Sequence, residues 1–297
     1  MRILIKNIIL ITNQMKNKVV QIYGIFGLSI IVIAEFFLFL DNRLIGVWFT
    51  PLVWTGYIFF IDSLIFRKRG ESFISCHFKE FIILLFLSVG FWLIFEGYNL
   101  FMKNWHYINL PENKLIRYTG YFWSFSTIYP AIFQTRDLLE TFGIFKNTYF
   151  PKFEVKNSWL FVVFTIGFIF LAIPFIYPSE YHAPIVWTGF VFFLEPLNYW
   201  LKSGSFLRDL KNGIFQKFLT HFTAGIICGI LWEFWNYWAY TKWIYTVPYW
   251  GDVKIFEMPV IGYLGFPAFA VECYVMYSFA VFVIKKFNLD FRSYFIK

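Results

Sequence analysis

Two stretches of the chain set the same polar side chains into otherwise apolar surroundings. In LWEFWNYWAYTKWIYTVP, Leu231 to Pro248, Glu233 and Asn236 stand three apart, and Trp243 and Tyr245 follow shortly after. In IFEGYNLFMKNWHYINLP, Ile94 to Pro111, Glu96 and Asn99 keep that spacing, and Trp105 and Tyr107 follow in the same order. Residues three apart share one helix face, so each acid has an amide beside it. A carboxyl group enclosed away from water can donate or accept a proton toward an apolar substrate, with the amide as its orienting partner. The same pairs also fit a plainer role, interhelical hydrogen bonding that sets helix packing at about 1 kcal/mol each.

The rings around these acids are candidate walls for a binding site: Trp92, Trp105 and Tyr107 in the first stretch, and Trp232, Trp235, Trp243 and Tyr245 in the second. Aromatic faces stabilise cations in desolvated sites, which suits carbocation chemistry on an isoprenoid. Trp and Tyr of an interfacial belt would follow a similar pattern. Glu272, in FAVECY, is a third candidate acid, and Pro130 takes the matching place in the first half. Asp62 and Glu195 are predicted to pair with basic loops, and Glu35 either to pair with Arg43 or to reach the site. Cys76, Cys228 and Cys273 make no CxxC spacing, and His77, His106, His182 and His221 make no HExxH. Asp137 with Glu140 is the nearest approach to an aspartate-rich diphosphate motif and lacks a second set. No phosphate-loop or dinucleotide fingerprint is present. The chemistry these residues imply therefore uses neither metal nor cofactor.

The elements that must carry these residues are membrane helices. Hydrophobic residues make up 59% of the chain and charged residues only 15%, against about 25% charged in soluble domains. Spans of about 20 apolar residues are predicted at 22–40, 52–66, 81–102, 118–135, 158–177, 185–201, 218–240 and 260–284. The fold class is all-α and polytopic, with eight transmembrane helices. An interfacial segment, 1–21, precedes a first four-helix unit, 22–135. A connector, 136–157, leads to a second unit, 158–284, and a basic tail, 285–297, ends the chain. With both termini cytoplasmic, most of the 26 basic residues fall in inside loops and tails, as the positive-inside rule requires. The net charge of +8 is then a topology signal with some contact to membrane lipid, and no nucleic-acid partner is needed. The N-terminus shows no removable signal peptide, and a bacterial cytoplasmic membrane is the expected location.

The two units repeat one another. PLVWTG, Pro51 to Gly56, returns as PIVWTG, Pro184 to Gly189, and Ser72-Phe73 returns as Ser205-Phe206. The acid-amide stretches come next in both. Four helices per unit is an even number, so the repeat is parallel, and a shared site belongs where the halves meet.

An acid late in a helix, a Trp-x-aromatic about ten residues on, and a proline-containing segment opening the next helix resemble the integral-membrane lycopene cyclase domain of heterodimeric and fused carotenoid cyclases. Glu96 with Trp105-His106-Tyr107, and Glu233 with Trp243-Ile244-Tyr245, carry that resemblance, together with a Phe-rich fourth helix ending near Tyr129-Pro130. It implies a cyclase- or hydratase-like enzyme acting without cofactor on a long apolar isoprenoid such as a carotenoid, with Glu233, Asn236, Glu96, Asn99 and Glu272 as site residues. The chain departs from the family at the proline followed by paired glutamates. It has Glu257-Met258-Pro259-Val260 in one half and Pro111-Glu112-Asn113 in the other. Two other readings of the same acids stand beside this one: a proton- or cation-coupled transporter, and a membrane partner protein without catalysis.

Overall fold

The computed structural model describes residues 2–248, 253–287 and 291–296; for 2–15 only the backbone course is described. The elements in order are α1 (Arg2–Phe39), α2 (Arg43–Arg69), α3 (Phe73–Cys76), α4 (Phe78–Met102), β1 (Trp105–Ile108), α5 (Lys114–Thr141), α6 (Asn157–Ile176), α7 (Ala183–Trp200), α8 (Phe206–Lys211), α9 (Gln216–Trp238), β2 (Lys242–Tyr245), β3 (Lys254–Ile255), β4 (Met258–Pro259) and α10 (Gly265–Phe287). Short 3-10 turns precede α7 and α10. Among the described residues, six helices are long and apolar enough to cross a membrane: α1, α2, α4, α6, α9 and α10. Of the eight predicted spans, those at α5 and α7 fall outside that set. The composition of α5 has a packing reason. It lies against α2, α4 and α9, and its side chains are buried without interruption from Phe125 to Asp137. A helix enclosed by its neighbours need not be apolar.

Packing partners recur along the chain. α1 lies on α2 as α6 lies on α7, α2 on α5 as α7 on α10, and α4 on α5 as α9 on α10. Glycine permits the closest of these approaches. A Cβ on Gly27 would stand 2.6 Å from the Gly56 carbonyl, and one on Gly167 would stand 2.3 Å from the Phe193 nitrogen.

Several sequence expectations are corrected. The α2 helix starts nine residues before the predicted span at Leu52, because Asn42 caps it by accepting from the Ile45 amide (3.0 Å). Pro51 sits inside it at the cost of one backbone donor. Among the described residues, Asp62 and Glu195 make no ion pair with the basic loops. Asp62 accepts from Ser72 Oγ (2.6 Å), the Ile74 amide (2.9 Å) and the Tyr23 hydroxyl. Glu195 accepts from Ser205 Oγ (2.6 Å) and the Leu207 amide (2.8 Å). Each acid thus satisfies the free amides that open the following short helix, α3 or α8. Residues 291–296 return to the bundle, where the Tyr294 amide and Ser293 Oγ donate to Glu80 (both 2.7 Å). Phe295 is buried between Phe73 and Phe133. Asp137 is held by the two terminal nitrogens of Arg69 (2.9 Å each), which makes it structural.

Candidate functional site

A cavity of about 580 Å³ lies among α2, α4, α5, α7, α9, α10 and the strands β1, β2 and β4, within the usual range for small-molecule sites. Its walls draw on both halves of the chain. Trp54, Trp92, Phe125, Trp187, Trp232 and Phe269 supply much of the apolar surface. Phe269 neighbours three of them. Its ring lies 5.2 Å from Trp187, 5.9 Å from Trp92 and 6.1 Å from Trp232.

Strands β1 and β2 close part of this cavity. β1 pairs antiparallel with β2, with Trp105 opposite Tyr245 and Tyr107 opposite Trp243. Alternate residues of a strand share a face, so these four rings stand together, and all four line the cavity. Asn99 and Asn236 build the strands. Asn99 Oδ1 accepts from the Asn104 amide (2.8 Å) and its Nδ2 donates to the Trp105 carbonyl (2.8 Å). Asn236 Oδ1 accepts from the Trp243 amide (3.0 Å) and its Nδ2 donates to the Trp243 carbonyl (2.9 Å). The predicted amide-to-carboxylate contact is therefore replaced. Each amide fixes the tryptophan main chain that follows its helix, because a helix end leaves backbone groups that need partners.

The carboxylates lie directly behind the rings. Glu96 Oε1 accepts from the Tyr107 hydroxyl (2.6 Å), Trp92 Nε1 (2.9 Å) and Trp105 Nε1 (3.1 Å). Glu233 Oε1 accepts from the Tyr245 hydroxyl (2.9 Å), and its Oε2 is buried without a donor among the described residues. Burial, and then the neighbouring glutamate, pushes the Tyr107 and Tyr245 phenols well above the ordinary tyrosine range. Both phenols therefore remain O–H donors at physiological pH.

Six of the seven rings read from the sequence line the cavity: Trp92, Trp105, Tyr107, Trp232, Trp243 and Tyr245. Trp235 does not. It packs edge-on against Trp54 (4.9 Å) and donates to Glu35 (3.1 Å), which settles where Glu35 points. Arg43 instead lies over the Tyr240 ring. Glu272 takes no part in these hydrogen bonds. It is buried one turn beyond Phe269 and has no hydrogen-bond partner for either oxygen among the described residues. Trp54 and Trp187 are wall residues that the sequence reading passed over. Both belong to the repeated P-x-V-W-T-G motif, and Pro51 and Pro184 line the cavity with them. Among the described residues no group of three or more His, Cys, Asp or Glu side chains is placed to hold a metal ion. Comparison with protein-family models, with curated proteins and with solved structures finds no match.

Proposed function

We propose that this chain is a membrane enzyme performing acid/base chemistry on a long apolar isoprenoid, in a cavity shared by two parallel four-helix units with both termini on the cytoplasmic side. One observation carries the reading: two carboxylates, Glu96 and Glu233, accept hydrogen bonds from the hydroxyls of Tyr107 and Tyr245, whose side chains line an aromatic cavity. Their surroundings suit different roles. Three donors converge on Glu96 Oε1, so Glu96 serves as the acceptor and as counter-charge to a cation among the rings. Glu233 has one oxygen without a donor among the described residues and serves as the proton source. Tyr245 passes its own proton to the substrate as Glu233 replaces it, and Tyr107 takes a proton as Glu96 receives one. The rings hold the intermediate by their faces.

The recurring packing order and the twin strands support the parallel repeat. The aromatic cavity also agrees with the resemblance to lycopene cyclase domains, with the paired glutamates of that family replaced by the two acid–phenol pairs. An aromatic cavity favours an apolar ligand over an ion. Expression in a lycopene-producing bacterium with pigment analysis tests the carotenoid form of this function. New cyclic or hydrated pigment is expected, lost in Glu233→Gln. Unchanged pigment in several hosts removes that substrate.

A further inference from the structure

The acid/base reading leaves one charged group of the cavity wall unused. Arg117 stands in the first turns of α5, half-buried, and lines the cavity. Its Nε donates to the Pro111 carbonyl (2.9 Å), which fixes the stem and leaves both terminal nitrogens without an acceptor among the described residues. The other cation in the lining is already engaged. Lys242 Nζ meets Glu257 Oε1 at 2.6 Å and the Tyr237 carbonyl at 3.1 Å. Arg117 acts electrostatically on Tyr121, a further ring of the lining. The lining also reaches the outer surface of the bundle, because Ile116 is 43% exposed and Leu264 72%. These residues mark an apolar mouth, and Arg117 is the immediate neighbour of Ile116.

A pure hydrocarbon offers this guanidinium no partner, whereas its positive charge and free donors suit a carboxylate or a phosphate. We propose that the cavity takes an amphiphile, with its apolar chain among the rings and an anionic terminus, carboxylate or phosphate, held at the mouth by Arg117. This rests on the reading of the cavity as an isoprenoid site and extends its substrate class to isoprenoids that carry an acidic end. A chain anchored in this way has one end fixed, which sets how far along it the phenols of Tyr107 and Tyr245 act.

The test is a titration of the purified protein in one detergent with three linear isoprenoids of equal length: an alcohol, its carboxylic acid and its monophosphate. Quenching of the cavity tryptophans reports binding. The acid or the monophosphate is expected to bind about ten-fold or more tightly than the alcohol, the size of one charge-assisted contact. The tighter of the two identifies the terminus. Arg117→Gln should erase the preference with the alcohol's affinity unchanged, and Arg117→Lys should keep most of it. If Arg117→Gln also loses the alcohol, the mouth has collapsed and Arg117→Lys decides: preference kept upholds the anionic end, preference lost overturns it. Equal affinity for all three ligands, or an undiminished preference in Arg117→Gln, overturns the anionic end and leaves the isoprenoid cavity standing. Failure of all three to bind overturns both.

Discussion

Trp105 and Tyr245 face each other across the antiparallel strands, yet they serve different carboxylates: Trp105 donates to Glu96 and Tyr245 to Glu233. The strand pair therefore ties the two acids into one assembly, and the amides of Asn99 and Asn236 hold its ends. Removing an amide is the direct check. Asn99→Ala leaves the Asn104 amide and the Trp105 carbonyl without their partner, at about 1–3 kcal/mol for a buried group left unpaired. The expected outcome is a lower unfolding midpoint in detergent together with weakened ligand binding. The double variant with Asn236→Ala should lose less than the sum of the singles, since both act on one strand pair. Strict additivity would show that the strands are not coupled.

The buried phenols give the protein a stability that depends on alkaline pH. Tyrosine in an unfolded chain titrates near pH 10, while Tyr107 and Tyr245 are held well above that by burial and by Glu96 and Glu233. Below about pH 10 both states keep the proton and the phenols add no pH dependence. Above it only the unfolded state releases protons, so stability falls as pH rises. Replacing both tyrosines by Phe should flatten that fall, followed by thermal unfolding across the alkaline range. An equal slope in wild type and variant would mean that both phenols titrate freely in the fold.

Glycine positions give a paired test of helix packing. Gly167→Ala puts a methyl group 2.3 Å from the Phe193 backbone nitrogen, where no flexible side chain can yield, and should cost about 1–3 kcal/mol. Gly97 lies in a helix with nothing within 4 Å of an added Cβ, so Gly97→Ala should be neutral or stabilise by about 0.5–1 kcal/mol. Thermal unfolding of the two variants in the same detergent compares them directly. Similar losses in both would argue against the close α6–α7 contact.

The parts of this arrangement legible in the sequence are those with a repeated spacing. Glu96 and Glu233, the Trp-x-Tyr pairs and the apolar helices all stand out because each occurs twice, and the four rings of the Trp-x-Tyr pairs all line one cavity. Contacts between distant segments left no such trace. Nothing in WHYI or KWIY says that the two strands pair, since a four-residue strand has too little periodicity to register. Asn99 was read as a partner of Glu96 from helix spacing alone, and that spacing does not show that the Trp105 backbone competes for the amide and takes it. Glu80 carries no sequence sign of its partners, and only the fold brings Ser293 and Tyr294 to it. The α2 start depends on the Asn42 cap, a local contact that the hydropathy of the span does not register.

Cys76 allows the proposed orientation to be tested with one reagent. It is exposed in the short helix α3, whereas Cys228 and Cys273 are buried. Partial burial works against ionisation of its thiol, but hydrogen bonds with Ser75 and Lys16 outweigh this and bring it below the ordinary cysteine range. The thiolate is the reactive form, so Cys76 should react fast with a maleimide at neutral pH while the buried pair stays unmodified. α3 follows the Arg67-Lys68-Arg69 run that ends α2, which the positive-inside rule puts on the cytoplasmic side. In sealed vesicles of known orientation, a membrane-impermeant maleimide should therefore label one cysteine per chain, from the cytoplasmic face only. Labelling from the opposite face overturns the topology and with it the side on which the cavity opens. Lys16→Ala tests the activation separately. It removes the ammonium 3.1 Å from the sulfur and should slow labelling at pH 7 severalfold, with little change at a pH above about 9, where the free thiol is ionised anyway.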